Sequence, residues 1–193
     1  METNRSLYIL CGGNSRRMGT DKSNLELRGE TFLNTLTQKA ELHFSEIYLL
    51  SGSHQWPSHY PHLEDEYISS GPLGGLLTAL NHSNHTSVAI MPVDLPLVQQ
   101  KTLEILRKKK LDSDDVHVAI CDEQLQPLLG IYSCELKSKL KTYLLSHKKS
   151  VKGFLDIVKF QTFQIGPHEI RNINTPEEYE ELIATFKSHS DSE

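Results

Sequence analysis

The sequence lacks the features of membrane, secreted and disulfide-stabilised proteins. No apolar run approaches the roughly 18 residues that cross a bilayer, and the apolar segment beginning at Leu7 is too short for a signal peptide. The three cysteines, Cys11, Cys121 and Cys134, are far apart, odd in number and without metal-ligand spacing. These absences predict a soluble protein of a reducing compartment, the cytoplasm, with no membrane partner.

An excess of positive charge is also missing. The formal net charge is −5, which argues against nucleic acid as a partner. With 193 residues, of which 37% are hydrophobic and 23% charged, the chain can bury a full core and does not have the composition of a disordered protein. We expect a single domain over residues 1–187, followed by a polar tail over residues 188–193.

Short apolar runs alternate with amphipathic segments along the chain. The apolar runs predict buried strands at 7–10, 47–50, 88–91, 116–121 and 128–132. Helical spacing and helix start signals predict helices over 31–43, 99–110 and 136–145, and others that begin at Pro72 and after Thr175. This alternation predicts an α/β fold of three layers, in which a mostly parallel, twisted sheet has helices on both faces. Ligands bind such sheets beyond the carboxyl ends of the strands, so functional residues are expected in the loops that follow the strands.

The loop after the first strand concentrates glycine and positive charge. Residues 10–22 read LCGGNSRRMGTDK. The pair Gly12 and Gly13 lets the backbone approach a ligand and expose its N–H groups to an anion. Arg16, Arg17 and Lys22 follow, and such cations bind phosphate oxygens. A surface turn with solvated basic residues is the alternative, but a protein of negative net charge must concentrate its cations locally to hold a triphosphate.

The spacing in this loop excludes two better-known phosphate-binding motifs. The P-loop requires a lysine directly after its last glycine, whereas Gly19 is followed by Thr20 and Asp21. The dinucleotide fingerprint requires separated glycines, whereas Gly12 and Gly13 are adjacent. A P-loop nucleotidase and a nicotinamide-dependent enzyme are therefore disfavoured.

A carboxylate follows the third predicted strand. Asp94 lies between Pro92 and Pro96, whose fixed φ angles stiffen the loop. A carboxylate held there can bind Mg²⁺, which bridges substrate phosphates and acts as a Lewis acid. A capping or solvated turn aspartate is the alternative.

Asp65 precedes the helix that begins at Pro72, and its position alone is more typical of a solvated loop acid.

These segments resemble the molybdenum cofactor guanylyltransferases, which belong to the nucleotidyltransferases of Rossmann-like fold. Residues 10–22 match the pattern Leu-x-Gly-Gly-x-Ser-x-Arg-Met-Gly-x-Asp-Lys, and residues 94–96 are similar to the family's Asp-Met-Pro. Residues 172–178 match Asn-x-Asn-Thr-Pro-Glu-Glu. Gly12 favours guanine, because cytidylyl-transferring relatives have Leu-Ala-Ala-Gly in this loop and the alanine methyl would crowd a purine.

The resemblance implies transfer of GMP from GTP to the terminal phosphate of molybdopterin carrying molybdenum, with release of pyrophosphate and Mg²⁺ as cofactor. In this reaction Arg17 and Lys22 would hold the triphosphate, and Asp94 the metal. The implied nucleotide-binding residues are Leu10, Cys11, Gly12, Gly13, Lys22, Ser51, Asp65 and Asp94. Ser51 stands in for an asparagine that the family often has after the second strand.

The resemblance also implies an acceptor site and partners. Asn172 and Asn174 would contact the acceptor, in the C-terminal half, while the N-terminal half binds the nucleotide. Molybdoenzymes or other cofactor-synthesis proteins are the expected partners of a monomer. A cytidylyltransferase or sugar-nucleotide transferase of the same fold, and a non-catalytic nucleotide-binding module, stay open as alternatives.

Overall fold

The computed structural model describes residues 5–11, 24–27, 29–50, 58–67, 70–111, 115–170, 173 and 175–190. The strands among them are β1 Leu7–Leu10, β2 Glu26–Leu27, β3 Glu30–Thr31, β4 Ile47–Leu50, β5 His62–Leu63, β6 Ser87–Pro92, β7 Val116–Cys121, β8 Gln124–Ser133 and β9 Phe160–Gln164. The helices are α1 Phe32–Glu41, α2 Pro72–His82, α3 Gln100–Lys108, α4 Lys137–Leu145, α5 Val151–Leu155 and α6 Pro176–Ser190. In this part of the chain, no helix combines the length and the apolar character that crossing a bilayer requires.

Seven strands form one sheet in the order β5-β4-β1-β6-β8-β7-β9. The neighbouring strands pair in parallel except for β8, which is antiparallel to both β6 and β7. The reversal follows from the two-residue connection before β8, where Asp122 and Glu123 have φ angles of 45° and 63°. Positive φ at both central residues is the conformation of a tight hairpin turn. The predicted α/β fold with a mostly parallel sheet is therefore confirmed.

Helices cover both faces of this sheet. On one face, Leu36 of α1 and Leu103 of α3 pack in the same core cluster as Ile9 of β1. On the other face, Leu76 of α2 packs in a second cluster with Tyr8 of β1. Successive residues of a strand point to opposite faces, so a central strand covered on both sides is apolar throughout. This explains why β1 reads as an uninterrupted apolar run.

Helix α6 begins with the capping box that the sequence predicts. The backbone N–H of Thr175 donates to Glu178 Oε2 at 3.0 Å, and the N–H of Glu178 donates to Thr175 Oγ1 at 3.3 Å. The helix continues to Ser190, so it includes the first residues of the segment predicted as a polar tail, 188–193. The organisation of residues 1–187 as a single domain stays a prediction.

Candidate active site

The loops after β1, β4 and β6 begin side by side at the carboxyl edge of the sheet. The register places Leu10 opposite Leu50 on one side and opposite Pro92 on the other. Beyond the paired residues, Cys11 N donates to Leu50 O at 2.8 Å, and Val93 N donates to Leu10 O at 3.1 Å. β4, the next strand of the sheet along the chain, pairs with one side of β1, and the later strand β6 pairs with the other side of β1. Such a reversal of strand order opens a crevice at the carboxyl ends, where ligands of α/β proteins bind.

Asp94 is a half-buried residue between two buried ones. Val93 is 5% exposed and Leu95 is 2% exposed, and both pack in the core cluster that contains α1 and α3. Val98 N then donates to Leu95 O at 3.1 Å, which closes a turn before α3 begins. The residues on both sides of Asp94 are thus anchored in the core, while Asp94 itself is partly exposed.

Asp65 lies two residues beyond β5, which pairs with β4. Its Oδ1 atom is buried and has no hydrogen-bond partner among the described residues. Burial raises the pKa of this carboxyl group above its usual value. A buried acceptor without a donor typically costs about 1–3 kcal/mol, so a ligand that donates an N–H or O–H would relieve that cost.

The start of α2 closes this side of the crevice. Gly71 has a φ of 61°, which glycine adopts without steric cost, and Pro72 follows at the first helical position. A Cβ atom on Gly75 would lie 2.7 Å from Leu10 Cδ2 and 3.4 Å from Asp65 Oδ1. The missing side chain therefore lets α2 pack directly against the end of β1 and against Asp65. Leu10 and Asp65 share one wall as a result.

The structure describes four of the predicted site residues: Leu10, Cys11, Asp65 and Asp94. The side chains of Leu10 and Cys11 are buried in the core clusters on opposite faces of the sheet, so these two residues anchor the start of the loop. The remaining predicted residues lie outside the described part of the chain: Gly12, Gly13, Arg17, Lys22, Ser51, Asn172 and Asn174.

Two charged residues form hydrogen bonds with the segment that follows Asp94, and the sequence analysis predicts neither of them. Lys39 of α1 donates from Nζ to Pro96 O at 2.8 Å and to Val98 O at 3.1 Å. Glu169, which is 3% exposed, accepts at Oε2 from Gln99 N at 2.9 Å and from the Thr102 hydroxyl at 2.5 Å. These bonds join residues 57 to 70 positions apart, and no local pattern in the sequence reveals such pairs.

The described residues contain no group of three His, Cys, Asp or Glu side chains arranged to hold a metal ion. A metal at this edge would therefore take some of its ligands from solvent, substrate or the rest of the chain. Asp94 is a described carboxylate near this edge, because it follows β6 beside the end of β1.

Comparison of the sequence with known proteins identifies relatives over most of its length. The model of the MobA-like NTP transferase domain matches residues 7–161. A protein of Aquifex aeolicus (strain VF5) named "Probable molybdenum cofactor guanylyltransferase" is 31% identical, over 92% of this chain and 89% of the relative.

Solved structures share the fold. The molybdopterin-guanine dinucleotide biosynthesis protein A from Archaeoglobus fulgidus superposes with a TM-score of 0.81 at 19% identity, over 95% of this chain and 99% of that one. Rv0371c from Mycobacterium tuberculosis, in complex with manganese, superposes with a TM-score of 0.64 at 16% identity, over 95% of this chain and 100% of that one. The family match covers well over half of the sequence, and the chain belongs to the MobA-like NTP transferase family.

Proposed function

We propose that this chain is a molybdenum cofactor guanylyltransferase, which transfers GMP from GTP to the terminal phosphate of molybdopterin carrying molybdenum. The observation that carries this proposal is the hydrogen bond from Val93 N to Leu10 O. It holds the end of β1, from which the chain enters the segment rich in glycine and arginine, next to the start of the loop that contains Asp94. A metal–triphosphate site requires these two loops to start close together. Family membership and the name of the Aquifex aeolicus relative support the choice of guanylyl transfer and of acceptor.

The strand order suggests how the nucleotide lies across the edge. In the order β5-β4-β1-β6, the strands β5 and β6 are three spacings apart, or roughly 14 Å at about 4.8 Å per spacing. Asp65 follows β5 and Asp94 follows β6, so the two carboxylates suit opposite ends of one ligand. The nucleoside binds near Asp65, whose unpaired Oδ1 accepts an N–H of the base or a ribose hydroxyl. The triphosphate then extends over the end of β1 towards Asp94.

The residues present fit a divalent cation, and we propose Mg²⁺. Mg²⁺ prefers carboxylate, water and phosphate oxygens and is commonly held by one or two carboxylates together with substrate phosphates. Asp94 supplies such a carboxylate on a loop anchored in the core. When bound, the ion polarises the α-phosphate and offsets its developing negative charge.

The transfer itself needs little acid–base chemistry from the protein. An oxygen of the acceptor phosphate forms a bond to the α-phosphorus of GTP, and the bond from that phosphorus to the oxygen bridging to the β-phosphate breaks. Pyrophosphate leaves with that electron pair. Because the acceptor phosphate is already an anionic nucleophile, no general base is required, and rate acceleration rests on in-line positioning and charge neutralisation. Arg17 and Lys22 hold the triphosphate, and Asn172 and Asn174 contact the acceptor.

The decisive experiment measures pyrophosphate release by the purified protein with GTP and MgCl₂, in the presence and absence of molybdenum-loaded molybdopterin. We expect release that depends on both GTP and acceptor. Release with CTP instead of GTP would favour the cytidylyltransferase alternative. Binding of Mg–GTP without pyrophosphate release would identify a non-catalytic nucleotide-binding module.

Asp94→Ala should lower turnover by roughly a hundredfold or more, the scale of a lost electrostatic contact to a transition state. The matched control is Asp156→Ala, which removes an exposed carboxylate after α5. We expect the control to keep wild-type turnover in the same pyrophosphate assay. Near-normal GTP-dependent turnover of the Asp94 variant would rule out the role assigned to this carboxylate.

A further inference from the structure

The segment that carries Asp94, here called the Asp94 loop and comprising residues 93–99, is fixed at its beginning by the sheet. Val93 N donates to Leu10 O at 3.1 Å, and the Val93 side chain is buried. The loop contains neither helix nor strand from residue 93 to residue 99. A carboxylate on an irregular segment keeps a defined position only if the segment is also held beyond that carboxylate.

Lys39 holds the loop beyond Asp94. It lies in the last turn of α1, and its ammonium group donates to the carbonyl oxygens of Pro96 at 2.8 Å and of Val98 at 3.1 Å. Hydrogen bonds from a charged donor are shorter and stronger than neutral ones. One ammonium group that bridges two carbonyls at alternate positions constrains the bend between them. Asp94 is thereby held between two fixed points, Val93 on the strand side and Pro96 on the helix side.

A partly buried lysine at this position costs free energy of desolvation. A role in filling space would not require that cost. The position is partly buried, and desolvation lowers the pKa of Lys39, with partial compensation from the negative charge of Glu169. An apolar side chain of similar length would fill the same space without that cost. Glu169 in turn accepts from the backbone N–H of Gln99, the last residue of the loop. Opposite charges therefore restrain the two halves of the segment after Asp94.

We propose that Lys39 is a positioning residue for the transfer reaction, which sets the Asp94 loop so that the carboxylate stands beside the end of β1. This inference rests on the proposed function, since it assigns Lys39 to the metal side of that site. Lys39 acts through the backbone of residues 96 and 98 and contacts neither substrate.

The test compares Lys39→Met, which keeps the length but removes the charge, with Lys39→Arg, which restores a cationic donor. The control Lys101→Met removes an exposed lysine from α3. Thermal unfolding first establishes that each variant is folded. In ligand-free protein, hydrogen exchange of peptides covering residues 93–99 should rise about tenfold in Lys39→Met, as expected for loss of a charge-assisted hydrogen bond. Peptides covering β1 and β4 should keep their wild-type exchange.

In the pyrophosphate assay, Lys39→Met should lower kcat by roughly 10- to 100-fold, as expected for a small misplacement of a catalytic group. The Mg²⁺ concentration for half-maximal turnover should rise, while the KM for GTP changes little. Lys39→Arg should restore most of the wild-type kcat and most of the wild-type Mg²⁺ dependence. The hydrogen-exchange measurement does not depend on turnover, so it tests the loop restraint even if the wild-type protein releases no pyrophosphate.

Two results would overturn the inference while leaving the proposed function intact. In the first, the Lys39→Met and Lys101→Met proteins have the same hydrogen exchange in residues 93–99 and the same Mg²⁺ dependence of turnover. The other is increased exchange throughout the sheet with no recovery by Lys39→Arg, which would assign Lys39 a general structural role. Failure of the wild-type protein to release pyrophosphate would instead contradict the proposed function.

Discussion

Among individual residues, Asp65 shows how a buried carboxyl group without a hydrogen-bond partner in the described part of the chain lowers the stability of the folded protein. Its Oδ1 is buried without a partner among the described residues, and burial raises the pKa of the carboxyl group. At pH values between the ordinary and the raised pKa, the Asp65 carboxyl group binds more protons in the folded state than in the unfolded state. Stability therefore falls as the pH rises through that window and stays lower above it. A ligand that donates a hydrogen bond to Asp65 reverses this loss.

We accordingly expect Asp65→Asn to stabilise the ligand-free protein at neutral pH while weakening its binding of Mg–GTP. Removal of a partly buried charge should add about 1 kcal/mol, or roughly 2–4 °C in Tm for a chain of this size. The gain should shrink as the pH falls through the window between the raised and the ordinary pKa, and it should vanish below the ordinary pKa of aspartate, where Asp65 is protonated in both states of the wild-type protein. Thermal unfolding at several pH values, with calorimetric titration of Mg–GTP, measures both effects.

The control for this substitution is Asp156→Asn, since Asp156 is exposed. It should change neither the Tm nor the affinity for Mg–GTP. An Asp65→Asn protein that is less stable than wild type at neutral pH, or that binds Mg–GTP with unchanged affinity, would contradict the assignment of Asp65 to the nucleoside side of the site.

At the level of secondary-structure elements, helix ends differ in how far along the sequence their hydrogen-bond partners lie. The capping box of α6 joins Thr175 and Glu178, three residues apart, and is visible in the sequence. Helix α3 relies on distant partners instead. At its carboxyl end, buried Arg5 donates to Leu106 O at 3.2 Å and to Lys109 O at 2.6 Å. Burial lowers the pKa of Arg5 to about 10, so this guanidinium stays charged at neutral pH.

Thr175→Ala should destabilise the protein by about 0.5–2 kcal/mol, the usual cost of removing a side-chain cap from a helix. The control is Thr185→Ala, because Thr185 is an exposed residue within the same helix whose hydroxyl bonds to Glu181 O one turn earlier. Alanine is the better helix former there, so we expect no loss. Urea unfolding of both variants measures the difference, and equal midpoints would contradict the capping role of Thr175.

For the whole molecule, the order of the strands places the candidate site in the part of the sheet formed by β5, β4, β1 and β6. β1 lies between β4 and β6, so the loops that follow all three strands begin at one edge. A negative net charge would repel a triphosphate elsewhere on the surface. Binding should therefore depend on the cations after β1 and on a divalent ion.

Mg–GTP at about a hundred times its Kd should stabilise the whole protein by about 2.7 kcal/mol, which corresponds to roughly 5–10 °C in Tm. CTP at the same concentration should raise the Tm less, because the glycine pair favours a purine. GTP with EDTA in place of Mg²⁺ serves as the control and should also raise the Tm less. A shift with CTP that equals or exceeds the shift with GTP would favour the cytidylyl alternative.

The elements that the sequence predicts well are those whose properties are local. β1, β4 and β6 are mostly buried strands and read as apolar runs, as does β7 apart from His117, and α1 shows a clear apolar stripe. The missed elements lack such a signature. β5 has two residues, α5 has five, and β9 is an edge strand whose residues are mostly exposed and partly polar. The direction of β8 was also beyond prediction, because it depends on positive φ angles at Asp122 and Glu123, and glutamate is not typical of the second position, where glycine is usual.

The amino-acid sequence by itself determined which segments form the central strands, and it predicted which loops carry candidate phosphate-binding cations and a candidate metal-binding carboxylate. Both follow from residue type and short spacing, which act within a few positions along the chain. Only the tertiary structure decided which of these segments are neighbours: Leu10 beside Val93, and Lys39 against Pro96 and Val98. These contacts depend on strand order and helix packing between residues that are far apart in sequence, and such long-range hydrogen bonds leave no periodic trace in the chain.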